Sequence, residues 1–200
     1  MKVTRREVLA LGASAACVGL LATWSPGADD ERRAAAEIEK LAWPTPDPAT
    51  RTAMADPRRP ARLVISAIGL DEPVKALGLT TAGEIAPPPG VVQWFTGSVV
   101  PGAIGAAVLA AHVTSPEPDV FFRLGELAKG DTIEVTDADG VDCSFVVTRT
   151  AEVDKLDLTR DQSVWGKVAG PTLVLITCDT ESGRRGAHLA GNVVVWAEPS

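Results

Sequence analysis

The stretch Thr172-Leu-Val-Leu-Ile-Thr-Cys178-Asp179 decides how this chain reads. Six aliphatic or β-branched residues run without a break and stop at a thiol, after which charged and glycine residues follow. Such a run, too short for a buried helix and rich in branched side chains, predicts a buried strand carrying a cysteine to the lip of a sheet. A strand end is a rigid mount for a nucleophile, while a free cysteine is also an ordinary core filler. Ala106-Ala-Val-Leu-Ala-Ala-His112-Val113 repeats the pattern with an imidazole at its end. Thr114, Ser115 and two prolines follow, which places that ring at a rim rather than in an interior.

Outward from these two runs the chain reads as short strands. Arg62–Ile68 alternates, Gly69–Glu72 is a turn and Pro73–Leu77 its partner. Val91–Phe95 follows a Pro87-Pro-Pro-Gly90 loop, and Pro101-Gly102 marks another turn. Asp119–Leu127 has helical spacing at Val120, Leu124 and Leu127, closed by Gly130. Thr132–Thr136, an Asp137–Gly140 turn and Cys143–Thr148 predict a hairpin. Asn192–Trp196 completes the series. Many short strands with one short helix predict an all-β barrel or sandwich.

The 200 residues suffice for one domain with a core. A net charge of −7 argues against a nucleic-acid binder, which needs a basic face. The three cysteines, Cys17, Cys143 and Cys178, form no close pair, so a structural metal site is not expected. Cys143 reads as filler in a hairpin strand, Asp179 as a turn former, and Trp94 and Trp165 as core. His188, in the loop after Cys178, is the rival base to His112.

Residues 1–27 read as a membrane anchor or signal. Lys2, Arg5 and Arg6 precede an uncharged run from Val8 to Trp24. That run exceeds a signal-peptide core of roughly 7–15 residues and reaches the roughly 17–25 needed to span a bilayer. The basic flank stays cytoplasmic, so the rest lies outside the cell membrane. Thr4-Arg5-Arg6-Glu7-Val8-Leu9 also resembles a twin-arginine export signal, and a lipoprotein would acylate Cys17. Residues 28–60 read as a spacer: a solvated helix over Glu31–Trp43, then prolines 44, 46, 48, 57 and 60 breaking regular structure. The folded domain is residues 61–200.

The order of these features resembles a sortase, closest to the class F type of actinobacteria. The resembling parts are Arg62–Asp71 with Pro73-Val74, Pro101-Gly102 and Gly105 leading to Ala111-His112, and Val120–Leu124 with Gly130-Asp131. Leu175-Ile-Thr-Cys178 and Asn192–Val195 complete them. The resemblance implies an eight-stranded β-barrel with one or two short helices and an extracytoplasmic cysteine transpeptidase without a cofactor. Such an enzyme cleaves a Leu-Pro-X-Thr-Gly (LPXTG-like) sorting motif after its threonine. The acyl group then passes from a thioester to an amine of a cell-wall precursor or another protein. Carried onto this chain, Cys178 is the nucleophile, His112 the general acid and base, and Thr177 a residue that holds the motif and oxyanion. The family's arginine falls on Ala190, which leaves Arg184 and Arg185 as the nearest guanidiniums and Arg185 as the candidate oxyanion stabiliser. The alternatives are an impaired sortase-like domain that binds sorting peptides or a partner without turnover, and a secreted barrel with incidental Cys and His.

Overall fold

Residues of the central strands are buried on both faces, and the architecture follows from that. The structure, a computed structural model, describes residues 45–114, 117–185 and 188–200. Its elements, in order, are α1 (Pro48–Ala55), β1 (Pro60–Ile65), β2 (Leu70–Leu77), β3 (Val92–Phe95), β4 (Gly105–Ala110), β5 (Thr132–Asp137) and β6 (Asp142–Asp154). After them come α2 (Lys155–Leu158), α3 (Gln162–Trp165), β7 (Pro171–Arg185) and β8 (His188–Pro199). The strands close a barrel in the order β1-β2-β3-β4-β7-β8-β6-β5, with β5 pairing back onto β1. Two pairs, β2–β3 and β4–β7, are parallel and the others antiparallel. The expected eight-stranded barrel with short helices is therefore present.

Alternation divides β4 and β7 between two cores. Ala107, Leu109, Leu173 and Leu175 fill the barrel interior with Trp94, Phe121, Phe145 and Val195. Ala106, Val108, Val174 and Ile176 form a second cluster on the outer face, together with Val194 and Trp196 of β8. Leu158 of α2 and Val164 of α3 cover this second cluster. Strands buried on both faces carry apolar side chains at every position. That is why β4 and β7 read as unbroken runs while β5, with burial confined to Ile133 and Val135, alternates.

Several expectations are corrected. Regular structure does occur among the prolines of the spacer: α1 starts at Pro48 in the first helical position, where its missing N–H costs nothing. The Asp47 carboxylate caps it by accepting from Thr50 N at 2.7 Å. Residues 119–127 form no α-helix but tight turns and a one-turn 3₁₀ segment, Leu124–Glu126. Phe122, Leu124, Glu126 and Leu127 each donate to the carbonyl three residues back. The buried residues are Phe121, Leu124 and Leu127, a spacing of three that matches the 3₁₀ period. The first connection comes earlier than expected: β1 ends at Ile65 rather than Ile68, a 3₁₀ turn over Ser66–Ile68 leads to Gly69 at φ 68°, and β2 begins at Leu70. Trp165 is 40% exposed, sits edge-on to Phe95 and donates to Leu158 O at 2.6 Å, whereas Trp94 is core as expected.

β7 does not end at Cys178. Pairing with β8 continues through Cys178↔Asn192 and Asp179↔Gly191. After an irregularity it resumes at Arg184↔Leu189 and Arg185↔His188. Burial, not pairing, stops near the thiol: residues 172–179 are mostly buried and 180–185 are mostly exposed. The loop expected after Cys178 is thus a two-stranded ribbon leaving the barrel. The expected anchor over Val8–Trp24 and helix over Glu31–Trp43 lie outside the described residues. Among the described residues no helix is long and apolar enough to cross a membrane.

Candidate active site

β4 and β7 run parallel and in register, Leu109 opposite Leu175 and Ala110 opposite Ile176. Ala111 N donates to Ile176 O at 3.3 Å, so the ladder persists one residue past the end of β4. Continuing the register brings Ala111 level with Thr177 and His112 level with Cys178. By the same alternation Ala111 and Thr177 belong to the interior-facing set, while His112 and Cys178 follow Ala110 and Ile176 on the outer face. Parallel neighbours carry their C-terminal ends to the same rim, so the two runs that end in reactive residues end side by side. Both residues are partly buried.

Thr177 pins this arrangement. Its Oγ1 donates to Ala111 O at 2.8 Å, and the residue is 4% exposed. The hydroxyl hydrogen is therefore engaged with the residue that precedes His112, tying one strand end to the other. Asn192, opposite Cys178 on β8, supplies a second tie. In the amide orientation that satisfies its neighbours it donates to Thr177 O at 3.2 Å and Gly191 O at 3.3 Å. The carbonyl of His112 accepts from Phe121 N at 3.0 Å, which fixes the segment after β4 against the 3₁₀ turn.

Beyond the thiol, Asp179 is 6% exposed and acts as the expected turn former. Its Oδ1 accepts from Glu181 N at 2.9 Å, and its carbonyl accepts from Ser182 Oγ at 2.7 Å. Ser182 Oγ in turn accepts from Gly191 N at 2.8 Å. A side chain at Gly191 would meet Ser182 Cβ at 2.8 Å, so the ribbon closes here only over glycine.

The cations are arranged differently from expectation. Arg185 does not contact the thiol in this structure. Its Nη2 lies 3.0 Å from Asp154 Oδ2, an ion pair reinforced by Nη1 to Oδ1 at 3.4 Å. Asp154, the last residue of β6, also caps α2 by accepting from Leu156 N at 2.8 Å. The Arg185 hydrogen bond, helped by that backbone bond, holds the Asp154 carboxyl below its ordinary range. Arg184 stands opposite Leu189 in the ribbon. Against the thiol itself lies Lys155: its Nζ donates to Cys178 Sγ at 3.6 Å. Ala190 carries no functional group at the position where an arginine was expected.

Sequence reasoning missed Lys155, Asp154 and Asn192. Asp154 opposes Gly191, and Gly191 opposes Asp179, so the end of β6 reaches the thiol through β8. Nothing local to Lys155 announces that neighbourhood. Asn192 was quoted only as part of a motif. His188, the rival base, stands exposed beside Arg185 in the ribbon, four residues from Asn192 along β8. Cys143 is a free, partly buried thiol at the opposite end of the barrel, packed against the interior core as a filler. Burial, with Asp137 nearby, pushes its thiol above the ordinary value. Cys178 is likewise free of any disulfide.

Comparison with known proteins agrees with this architecture. The family model described as the sortase domain matches residues 63–200. Among solved structures, sortase C-1 from Actinomyces oris is similar at 22% identity and a TM-score of 0.57, covering 86% of this chain and 98% of that one. Sortase A from Corynebacterium diphtheriae is 18% identical with a TM-score of 0.56, covering 88% and 86%. Sortase A from Listeria monocytogenes is 21% identical with a TM-score of 0.52, covering 70% and 85%. No curated protein sequence matches. At these identities the solved structures speak for the fold, and the family model spans more than half of the sequence: the chain belongs to the sortase domain family.

Proposed function

We propose that this protein is an extracytoplasmic cysteine transpeptidase of the class F type. It cleaves an LPXTG-like sorting motif after threonine and transfers the acyl group to an amine of a cell-wall precursor or another protein. The observation that carries this reading is the parallel β4–β7 register, which brings the positions of His112 and Cys178 level at one rim. In the proposed reaction the thiol proton of Cys178 passes to His112, Sγ attacks the threonine carbonyl carbon and the C=O electron pair moves onto oxygen. The carbonyl then re-forms as the C–N bond to glycine breaks, and His112 delivers the proton that the departing amine takes up. The incoming amine reverses these steps, with His112 accepting its proton. Thr177 holds the rim in shape through its buried hydrogen bond to Ala111 O. Residues 1–27 tether the domain to the outer face of the cell membrane or direct its export, and the part of the 28–60 spacer that precedes α1 holds it off that surface, since α1 packs on the barrel through Ala53 and Pro60 opens β1.

Mass spectrometry of Cys178 after incubation with a small library of sorting peptides tests the reading. The expected outcome is one acyl adduct on Cys178, carrying the peptide up to its threonine. Cys178→Ala removes it, and His112→Ala lowers transfer by about 10²–10⁴-fold, the range of a lost acid–base group. A second reading is favoured by Ala190 and by the engagement of Arg185 with Asp154. In it the domain binds sorting peptides without turnover. Peptide affinity with no adduct from any motif is its signature, and that outcome would displace the first reading.

A further inference from the structure

Sortase-type acyl transfer builds negative charge twice, first on the attacking sulfur and then on the carbonyl oxygen. A fixed cation or a set of donors must meet that charge. The residue at the expected arginine position is Ala190, and the guanidinium of Arg185 is paired with Asp154. Among the described residues the ammonium of Lys155 lies against the sulfur, 3.6 Å from Sγ.

We infer that Lys155 is the catalytic cation of this site: it stabilises the Cys178 thiolate and then the oxyanion of the thioester-forming step. The inference rests on the transpeptidase reading given above for its second half, and on geometry alone for its first. Lysine suits the task because its ammonium carries three donors on a flexible stem and follows charge as it moves from sulfur to the adjacent oxygen. No proton leaves Lys155. Sulfur forms the bond to carbon, the π pair passes to oxygen, and the ammonium balances the charge at each stage. The glycine amine departs with the proton from His112.

The surroundings of Lys155 are built to hold it there. It is the first residue of α2, directly after the end of β6, at a level fixed by Asp154↔Gly191 and Gly191↔Asp179. Asp154 caps the helix, and Leu158 anchors it in the outer core at 5% exposure. Arg185, through its two bonds to the Asp154 carboxylate, is then a positioning residue that fixes the start of α2. The role foreseen for Arg185 passes to its neighbour in space, and Arg185 acts through Asp154.

Two measurements on the full chain test this. The first is alkylation of Cys178 by iodoacetamide at neutral pH, read by mass spectrometry at that peptide. Lys155→Ala is expected to slow it about tenfold, and Lys155→Arg to restore most of the rate. Raising salt slows the wild type toward the Lys155→Ala rate, because the ammonium is only partly buried. The second is single-turnover acylation by a sorting peptide. Lys155→Ala lowers the rate by about 10²–10³-fold, the effect of losing one oxyanion-stabilising group, with KM little changed. Arg185→Ala lowers it less. Alkylation of Lys155→Ala at the wild-type rate overturns the inference, as does acylation within threefold of wild type. If no peptide acylates the wild type, the transpeptidase reading fails, yet the alkylation comparison still decides whether Lys155 activates the sulfur. Recovery of the rate in Lys155→Arg, together with an unchanged melting temperature of each variant, separates loss of the ammonium from loss of the fold around α2.

Discussion

At the scale of single residues, Thr177 illustrates how a side chain beside the nucleophile can matter without touching substrate. Its hydroxyl is buried and satisfies the Ala111 carbonyl across the β4–β7 seam. Thr177→Val keeps the shape and leaves that carbonyl without this donor, so a loss of about 1–3 kcal/mol is expected. Denaturant unfolding measures it, and Thr177→Ser, which retains the hydroxyl, loses clearly less. Two residues of the candidate site, Cys178 and His112, could be singled out in the sequence because each ends an apolar run, and abrupt changes of polarity are visible locally. Lys155 was not, because its apolar and charged neighbours resemble any amphipathic turn. Its importance comes from a strand pairing that no window of sequence contains. Arg185 was legible as a nearby cation, but which carboxylate would claim it depended on where β6 ends.

At the scale of elements, α2 is a four-residue helix whose position depends on its cap. The Asp154 carboxyl is held below the ordinary value of 3.8, chiefly by the Arg185 hydrogen bond and then by Leu156 N. A group with a depressed folded-state value stabilises the fold above its unfolded value, and the contribution disappears as pH falls through the folded one. Arg185→Ala should therefore be less stable than wild type at neutral pH, and the two should converge in acid below 3.8 as Asp154 takes up its proton. Urea midpoints across that window measure the convergence, and a gap that stays constant into acid would exclude this linkage. The hairpin β5–β6 was readable at its turn end, since alternation and an Asp–Gly turn specify β5, the connection and the start of β6, but not the run of β6 past Thr148 to Asp154. The 119–127 segment misled because Val120, Leu124 and Leu127 fit a helical period. Burial follows Phe121, Leu124 and Leu127 instead, a register three residues long.

For the whole molecule, two cores share the same strands. The interior cluster closes the barrel, and the outer cluster fastens α2 and α3 over β4, β7 and β8. Losing a buried leucine typically costs about 2–5 kcal/mol. Leu158→Ala and Leu63→Ala should both lower the melting temperature, but Leu158→Ala should also slow Cys178 alkylation at temperatures where the barrel is intact. Equal alkylation rates in the two variants would detach the outer core from the site. Barrel closure was readable from strand number and patterning together with the family resemblance. The order in which strands neighbour one another was not, because β4 meets β7 only after β5, β6 and both short helices have been laid elsewhere.

The ribbon formed by β7 and β8 past the thiol carries a constraint of parity. Successive residues in regularly paired strands point to opposite sides, so adding one residue to each arm directly before the Arg184↔Leu189 pair, outside the irregular stretch, would turn the guanidinium of Arg185 away from Asp154. Adding two would return it to the original side, one pleat farther out. Length changes in this arm are therefore tolerated in even steps, and its odd-numbered variants would release the clasp at the base of the neighbouring helix.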